Sequence, residues 1–154
     1  MKKYLYLLLL ALVPAMTFTA CGSDDDELDP ENVNQDDVQI SKPTLKETAN
    51  QIILTYNESY GNFVVNMVET YEFQGERLVK VTFSETFPSE KLAKQFMEEI
   101  QKDPEEAERY KNISRSGRTI TYDATAEFQD YTKSQIKEML QWRMEEWDHM
   151  NEFK

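Results

Sequence analysis

The chain has 154 residues, a formal net charge of −12 and a single cysteine. That length suits one domain around one core and argues against two. One cysteine excludes an internal disulfide, and the acidic balance speaks against a nucleic-acid partner.

The N-terminus reads as an export signal over residues 1–20. Lys2 and Lys3 form a basic start, and Tyr4 to Val13 an uncharged, leucine-rich run that ends at Pro14. A membrane-spanning helix is the other reading of this run. It would be short, broken at Pro14, and followed by acid where a stop-transfer segment has basic residues.

Phe18-Thr19-Ala20-Cys21 resembles a bacterial lipobox, in which small residues before the cysteine admit a lipoprotein signal peptidase; Phe18 departs from the usual leucine. The resemblance implies lipidation of Cys21 and anchorage to a membrane. A lone thiol beside a cleavage site suits attachment, and the three acyl chains of a mature lipoprotein cysteine hold firmly at about 0.8 kcal/mol per buried CH₂. The next residues, Ser23-Asp24-Asp25-Asp26-Glu27, resemble the acidic export signal of surface-exposed lipoproteins of the Bacteroidota. This implies an outer-membrane protein facing the cell exterior. The alternative is a solvated acidic spacer on a periplasm-facing lipoprotein.

Residues 21–41 hold eight acids and no Lys or Arg, so they read as a disordered tether kept extended by self-repulsion. Their aspartate spacing does not fit a calcium loop. The globular domain is expected over residues 42–154, which carry 15 basic and 21 acidic side chains.

Ile52, Leu54 and Tyr56 alternate as in a strand, although Leu45, Ala49, Ile52 and Tyr56 also fit a helical stripe behind Thr44-Leu45-Lys46-Glu47; the strand is preferred. A hairpin follows. Phe63, Val65, Met67, Tyr71 and Phe73 share one face, and Val79, Val81 and Phe83 share the other strand's. Both sets are odd-numbered, which calls for a loop of odd length, met by a three-residue loop over residues 73–75 with Gly75 left-handed.

Ser89 should cap a helix to about Lys102, with Leu92, Ala93, Phe96, Met97 and Ile100 inward. Asp103-Pro104-Glu105-Glu106 opens a short second helix. A Ser116-Gly117 turn then pairs Ile113 with Ile120, and Ile120, Tyr122 and Ala124 continue one apolar face. Thr132-Lys133-Ser134-Gln135 is a capping box for the last helix, whose Ile136, Met139, Leu140, Met144, Trp147 and Met150 share one broad side.

These elements predict a small two-layer α+β domain, an antiparallel sheet of hairpins covered on one face by two or three helices, with a degenerate ββα repeat. The order resembles the layout of small ββαββα domains of the YehR-like lipoprotein family.

Chemistry-bearing groups are few. His149 is the one histidine and suits a helix C-terminus, so neither a catalytic triad nor a transition-metal site is expected. Glu98/Glu99 and Glu145/Glu146 are neighbours that diverge on a helix. Four glycines without a phosphate-binding pattern predict no nucleotide cofactor. Arg109, Lys111, Arg115 and Arg118 form the one acid-free basic stretch, either a contact for a carboxylate or phosphate or a solvated hairpin end. Tyr60, Tyr110, Tyr131 and Trp142 lie off the core stripes and suit either ligand stacking or the domain edge.

The expectation is a non-enzymatic, surface-anchored binding or accessory module whose partner is an outer-membrane protein assembly or a glycan. The alternatives are a carboxylate-dependent hydrolase of polysaccharide or peptide and a structural envelope lipoprotein.

Overall fold

The computed structural model describes residues 38–60, 62–102, 104 and 112–151. Cys21, Ser23 to Glu27, Arg109, Tyr110, Lys111 and most of the second expected helix lie outside them. The described chain is an α+β protein with one antiparallel seven-stranded sheet and three helices. The strands are β1 (Val38–Ile40), β2 (Thr44–Glu47), β3 (Gln51–Tyr60), β4 (Phe63–Gln74), β5 (Arg77–Thr86), β6 (Ser114–Ser116) and β7 (Thr119–Asp123). The helices are α1 (Glu90–Lys102), α2 (Thr125–Phe128) and α3 (Lys133–Asn151).

The sheet runs β1-β3-β4-β5-β7-β6, and β2 also pairs with β3. β1 lies against Glu58 to Tyr60 and β2 against Ile52 to Thr55, with the register slipping by one residue between them. They act as one edge strand interrupted at Ser41-Lys42-Pro43, and an interruption in an edge strand is where a proline fits. Thr44 to Glu47 is therefore a strand and not a capping box, as its β-branched partner segment Gln51–Tyr60 favours. The sheet also starts earlier than residue 42: β1 falls inside the stretch read as tether.

The β4–β5 hairpin departs from the expected loop. Gln74 pairs with Arg77 across a two-residue turn, Gly75-Glu76, in place of the three-residue loop at 73–75. Gly75 does take positive φ, +63°. A bulge opposite Glu72/Phe73 restores the parity of the apolar faces. It turns Val79 outward, 40% exposed, and puts Leu78 in the core in its place. Gly75→Ala should cost about 1–2 kcal/mol, because an added methyl meets no atom within 4 Å and only the left-handed backbone penalises it. Urea unfolding at neutral pH measures this.

The β6–β7 hairpin is likewise shifted. Ser116 pairs with Thr119 and Arg115 with Ile120, so the turn is Gly117-Arg118, and Ile113 does not oppose Ile120. The glycine again decides, since it supplies the positive φ that a two-residue turn needs at its first position.

Alternate residues of β3, β4, β5 and β7 pack into one core with Leu92, Ala93 and Ile100 of α1, Phe128 of α2, and Ile136 and Leu140 of α3. Ser89 Oγ accepts the Leu92 N–H at 3.2 Å, as the cap requires. Thr132 and Gln135 make the reciprocal capping box: Thr132 N–H donates to Gln135 Oε1 at 2.9 Å, and Gln135 N–H to Thr132 Oγ1 at 3.3 Å.

Further contacts fix the direction of α3. Glu76, in the β4–β5 turn, accepts the Ser134 N–H (3.1 Å) and hydroxyl (2.9 Å), an acid at a helix N-terminus. Lys137 pairs with Glu47 at 2.7 Å. At the far end Trp147 Nε1 donates to Ile40 O at 3.0 Å, and Lys42 pairs with Asp148 at 2.7 Å. Helix α3 is thus held from the β4–β5 turn to β1, which carries its middle over β4.

Candidate functional site: buried carboxylates under helix α3

Three acids occupy core-facing positions of the sheet. Even residues of β3, odd residues of β4 and, beyond the bulge, odd residues of β5 point inward, and Glu58, Glu69 and Glu85 fall on these positions. Glu69 is 3% exposed and Glu85 6%; Glu58 is half-buried.

Glu69 sits between Leu54 and Phe83 in register. A carboxylate there needs its charge matched and its lone pairs filled. Arg143 of α3 does the first with a two-pronged fork, Nη1 to Oε2 and Nη2 to Oε1, both at 2.8 Å. Two tyrosines complete the second: Tyr56 donates to Oε1 at 3.1 Å and Tyr71 to Oε2 at 2.7 Å. Burial, then the charge of Glu69, pushes both tyrosine pKa values well above the ordinary phenol. Burial opposes the charge of Arg143, but the Glu69 carboxylate outweighs it and holds the guanidinium pKa above its usual value. The set is a saturated ion pair whose chemistry is structural.

Glu85 and Glu58 are different. Glu85 lies in the middle of the sheet, opposite Met67 of β4 and Ile120 of β7. Burial first, and then the charge of Glu58, push its carboxyl up to about 8, while a hydrogen bond with Tyr122 works the other way. Glu58 is also raised, chiefly by burial, against a hydrogen bond from the Tyr60 hydroxyl and the field of Arg143. At neutral pH Glu85 therefore keeps its proton, which makes it a neutral acid able to donate one.

The sequence singled out other residues. Arg115 and Arg118 are exposed, but their guanidiniums lie on backbone: Arg115 Nη1 donates to Gly117 O at 2.7 Å and Arg118 Nη1 to Pro88 O at 3.4 Å. Arg115 braces its own turn, and Arg118 ties that turn to the β5–α1 connection. The hairpin does not aim the two at one point, because Arg118 belongs to the turn itself. Glu98 pairs with Lys94 at 3.5 Å and Glu99 with Lys102 at 2.5 Å along α1. His149 stands in the last turn of α3. Tyr60 stacks on Phe63 at 5.2 Å and Tyr131 tilts against Phe128 at 6.1 Å, so both pack at the core edge, while Trp142 is exposed. Among the described residues no group of three or more His, Cys, Asp and Glu side chains is placed to hold a metal ion.

Glu69 and Arg143 escaped the sequence reading although a signal exists. Glu69 breaks the stripe Val65, Met67, Tyr71, Phe73 at the one odd position without an apolar residue, and Arg143 sits seven residues after Ile136 on the inward side of α3. The fold and its interior thus define an antiparallel α+β domain with a charged core. Comparison with protein families, with curated proteins and with solved structures returns no match.

Proposed function

We propose that the protein is a lipid-anchored module of the outer membrane, held by an acylated Cys21 and carrying its α+β domain outward to bind or assist a partner. The observation that carries this reading is Phe18-Thr19-Ala20-Cys21 followed at once by Ser23-Asp24-Asp25-Asp26-Glu27. A protein assembly or a glycan of the envelope is the partner such an address favours.

The finer architecture belongs to the same reading: two layers, with a ββα unit used twice. Its support is local. β4–β5 and β6–β7 each turn at a positive-φ glycine, Gly75 and Gly117, and each hairpin is followed by a long helix capped by a hydroxyl residue, α1 by Ser89 and, after the short α2, α3 by Thr132. A second reading is a carboxylate-dependent hydrolase in which Glu85 gives its proton to the leaving group while Glu58 takes one from the attacking water, which requires the covered Glu85 to open to substrate. Turnover of a polysaccharide or peptide that Glu85→Gln abolishes would support it.

For the first reading, mass spectrometry of the wild-type chain is expected to find a hydrocarbon adduct on Cys21. Cys21→Ser should move the protein from the membrane to the soluble fraction, and protease added to intact cells should degrade only the anchored form. An unmodified cysteine with equal fractionation of both chains overturns the anchor. Protection of the anchored form from protease would place it on the periplasmic face.

A further inference from the structure

We infer that Glu58 of β3 and Glu85 of β5, with the hydroxyls of Tyr60 and Tyr122, form a proton-binding site in the core that makes the domain's stability depend on the pH of its surroundings. The argument begins with placement. Glu85 lies on an interior strand, flanked in register by Met67 and Ile120, and is almost wholly covered. The neighbouring rows of the sheet are Leu54, Glu69, Phe83 and Tyr122 on one side and Glu58 with Val65 on the other. Two like charges in such a place cannot both be ionised cheaply, since Glu85 is covered by protein and the Arg143 fork is spent on Glu69.

Among the described residues, the charged and titratable groups that act on the pair come from β3, β4, β7 and α3. From β3 come Tyr60, which donates to Glu58, and Tyr56, which donates to Glu69. From β4 comes Glu69, whose charge also disfavours ionisation of Glu58. From β7 comes Tyr122, which hydrogen-bonds Glu85. From α3 comes Arg143; it favours the Glu58 charge, but its fork is closed on Glu69 and it does not figure among the causes acting on Glu85. The inward face of α1 supplies Leu92, Ala93, Phe96, Met97 and Ile100. The acid pair thus has hydrogen-bond donors and a cation committed to Glu69, and the remaining neutralisation comes from a proton.

The sign follows from linkage. Glu85 holds its proton in the folded state up to about pH 8 and releases it near 4.5 when unfolded. Between those values the native chain binds more protons than the unfolded one, so stability falls as pH rises. The contribution is complete below the lower value and lost above the upper one. Glu58, raised in the same direction, adds to the same slope. Lowered groups such as Asp123 and Glu47 act oppositely, and only at more acid pH.

The test is urea unfolding of the full chain at half-unit steps from pH 5 to pH 9, for the wild type, Glu85→Gln and Glu58→Gln. The wild-type unfolding constant should rise toward about tenfold per pH unit through the window and level off above it. Glu85→Gln, which copies the protonated acid, should match the wild type near pH 5, exceed it at pH 8 and show a much flatter profile. Glu58→Gln should lower the pH at which the rise ends, because the like charge acting on Glu85 is gone. A flat wild-type profile, or three parallel profiles, overturns the proposal. Should Glu85→Gln fail to fold, wild-type unfolding at pH 7 in weak buffer decides alone: release of about one proton per chain supports the site, and no release overturns it.

Discussion

Replacing Arg143 by methionine is expected to destabilise the domain by about 3–5 kcal/mol, more than most core truncations of similar size. Methionine keeps most of the volume of arginine, though not its length, and packs adaptably, so lost volume is a minor part of the effect. The larger part is Glu69, left with 3% exposure and no counter-charge. Tyr56 and Tyr71 would still donate to it, but two hydroxyls do not replace a bidentate guanidinium. The double change Glu69→Leu, Arg143→Met removes both charges together and should lose less than Arg143→Met alone, since the orphaned charge is what costs most. Its recovery stays partial because the two tyrosine hydroxyls then lack their acceptor. Urea unfolding of the four chains in a double-mutant cycle reads the coupling directly. Strictly additive losses would show that the pair does not act as a unit.

This ion pair also marks how far the sequence could be read. Helix ends were legible because their chemistry is local: Ser89 and Leu92, or Thr132 and Gln135, lie three residues apart and identify each other. The long strands β3, β4 and β5 were legible from alternation, whereas Thr44–Glu47 also read as a capping box. Their registers were less so, because a parity argument has two solutions, an odd loop or an even turn with a bulge, and the β4–β5 hairpin takes the second at Val79. Gly75 and Gly117 gave each turn's place but not which neighbour joined them in it. In Val38–Ile40 the run of acids just before hid a short edge strand, whose formation depends on β3 offering a partner and not on its own composition. The charged core lay furthest out of reach. Glu69 and Arg143 are 74 positions apart, and no local pattern relates a gap in a strand's stripe to a cation on a distant helix. For the same reason the exposed charge of the basic stretch is visible in composition, whereas the buried charge of the interior acids is visible only once the faces are assigned.

Phe128→Ala should cost about 3–5 kcal/mol, an effect out of proportion to the four-residue helix that carries it. A helix so short has no stability of its own, since nucleation costs more than one turn of hydrogen bonds returns. Two things hold α2 in place. Asp123 Oδ1 accepts the Thr125 N–H at 2.9 Å, and Thr125 Oγ1 accepts the Val81 N–H at 2.9 Å, which ties the segment to β5. Phe128 then inserts into the core against the sheet. Its ring meets Tyr71 edge-on at 5.6 Å and 88°, Phe83 at 5.9 Å and 72°, and Tyr131 at 6.1 Å and 52°. Tyr71 also donates to Glu69, so a cavity left by Phe128 would loosen one of the two hydroxyls that satisfy the buried carboxylate. The loss should therefore exceed the transfer and cavity terms of the ring alone, and Phe128→Leu, which refills most of the space, should restore more than half of it. Urea unfolding gives both values, and near-ultraviolet circular dichroism reports whether the aromatic cluster reorganises. If Phe128→Ala loses less than about 1 kcal/mol, α2 is a surface loop whose ring merely touches the core, and Thr125 alone must position it.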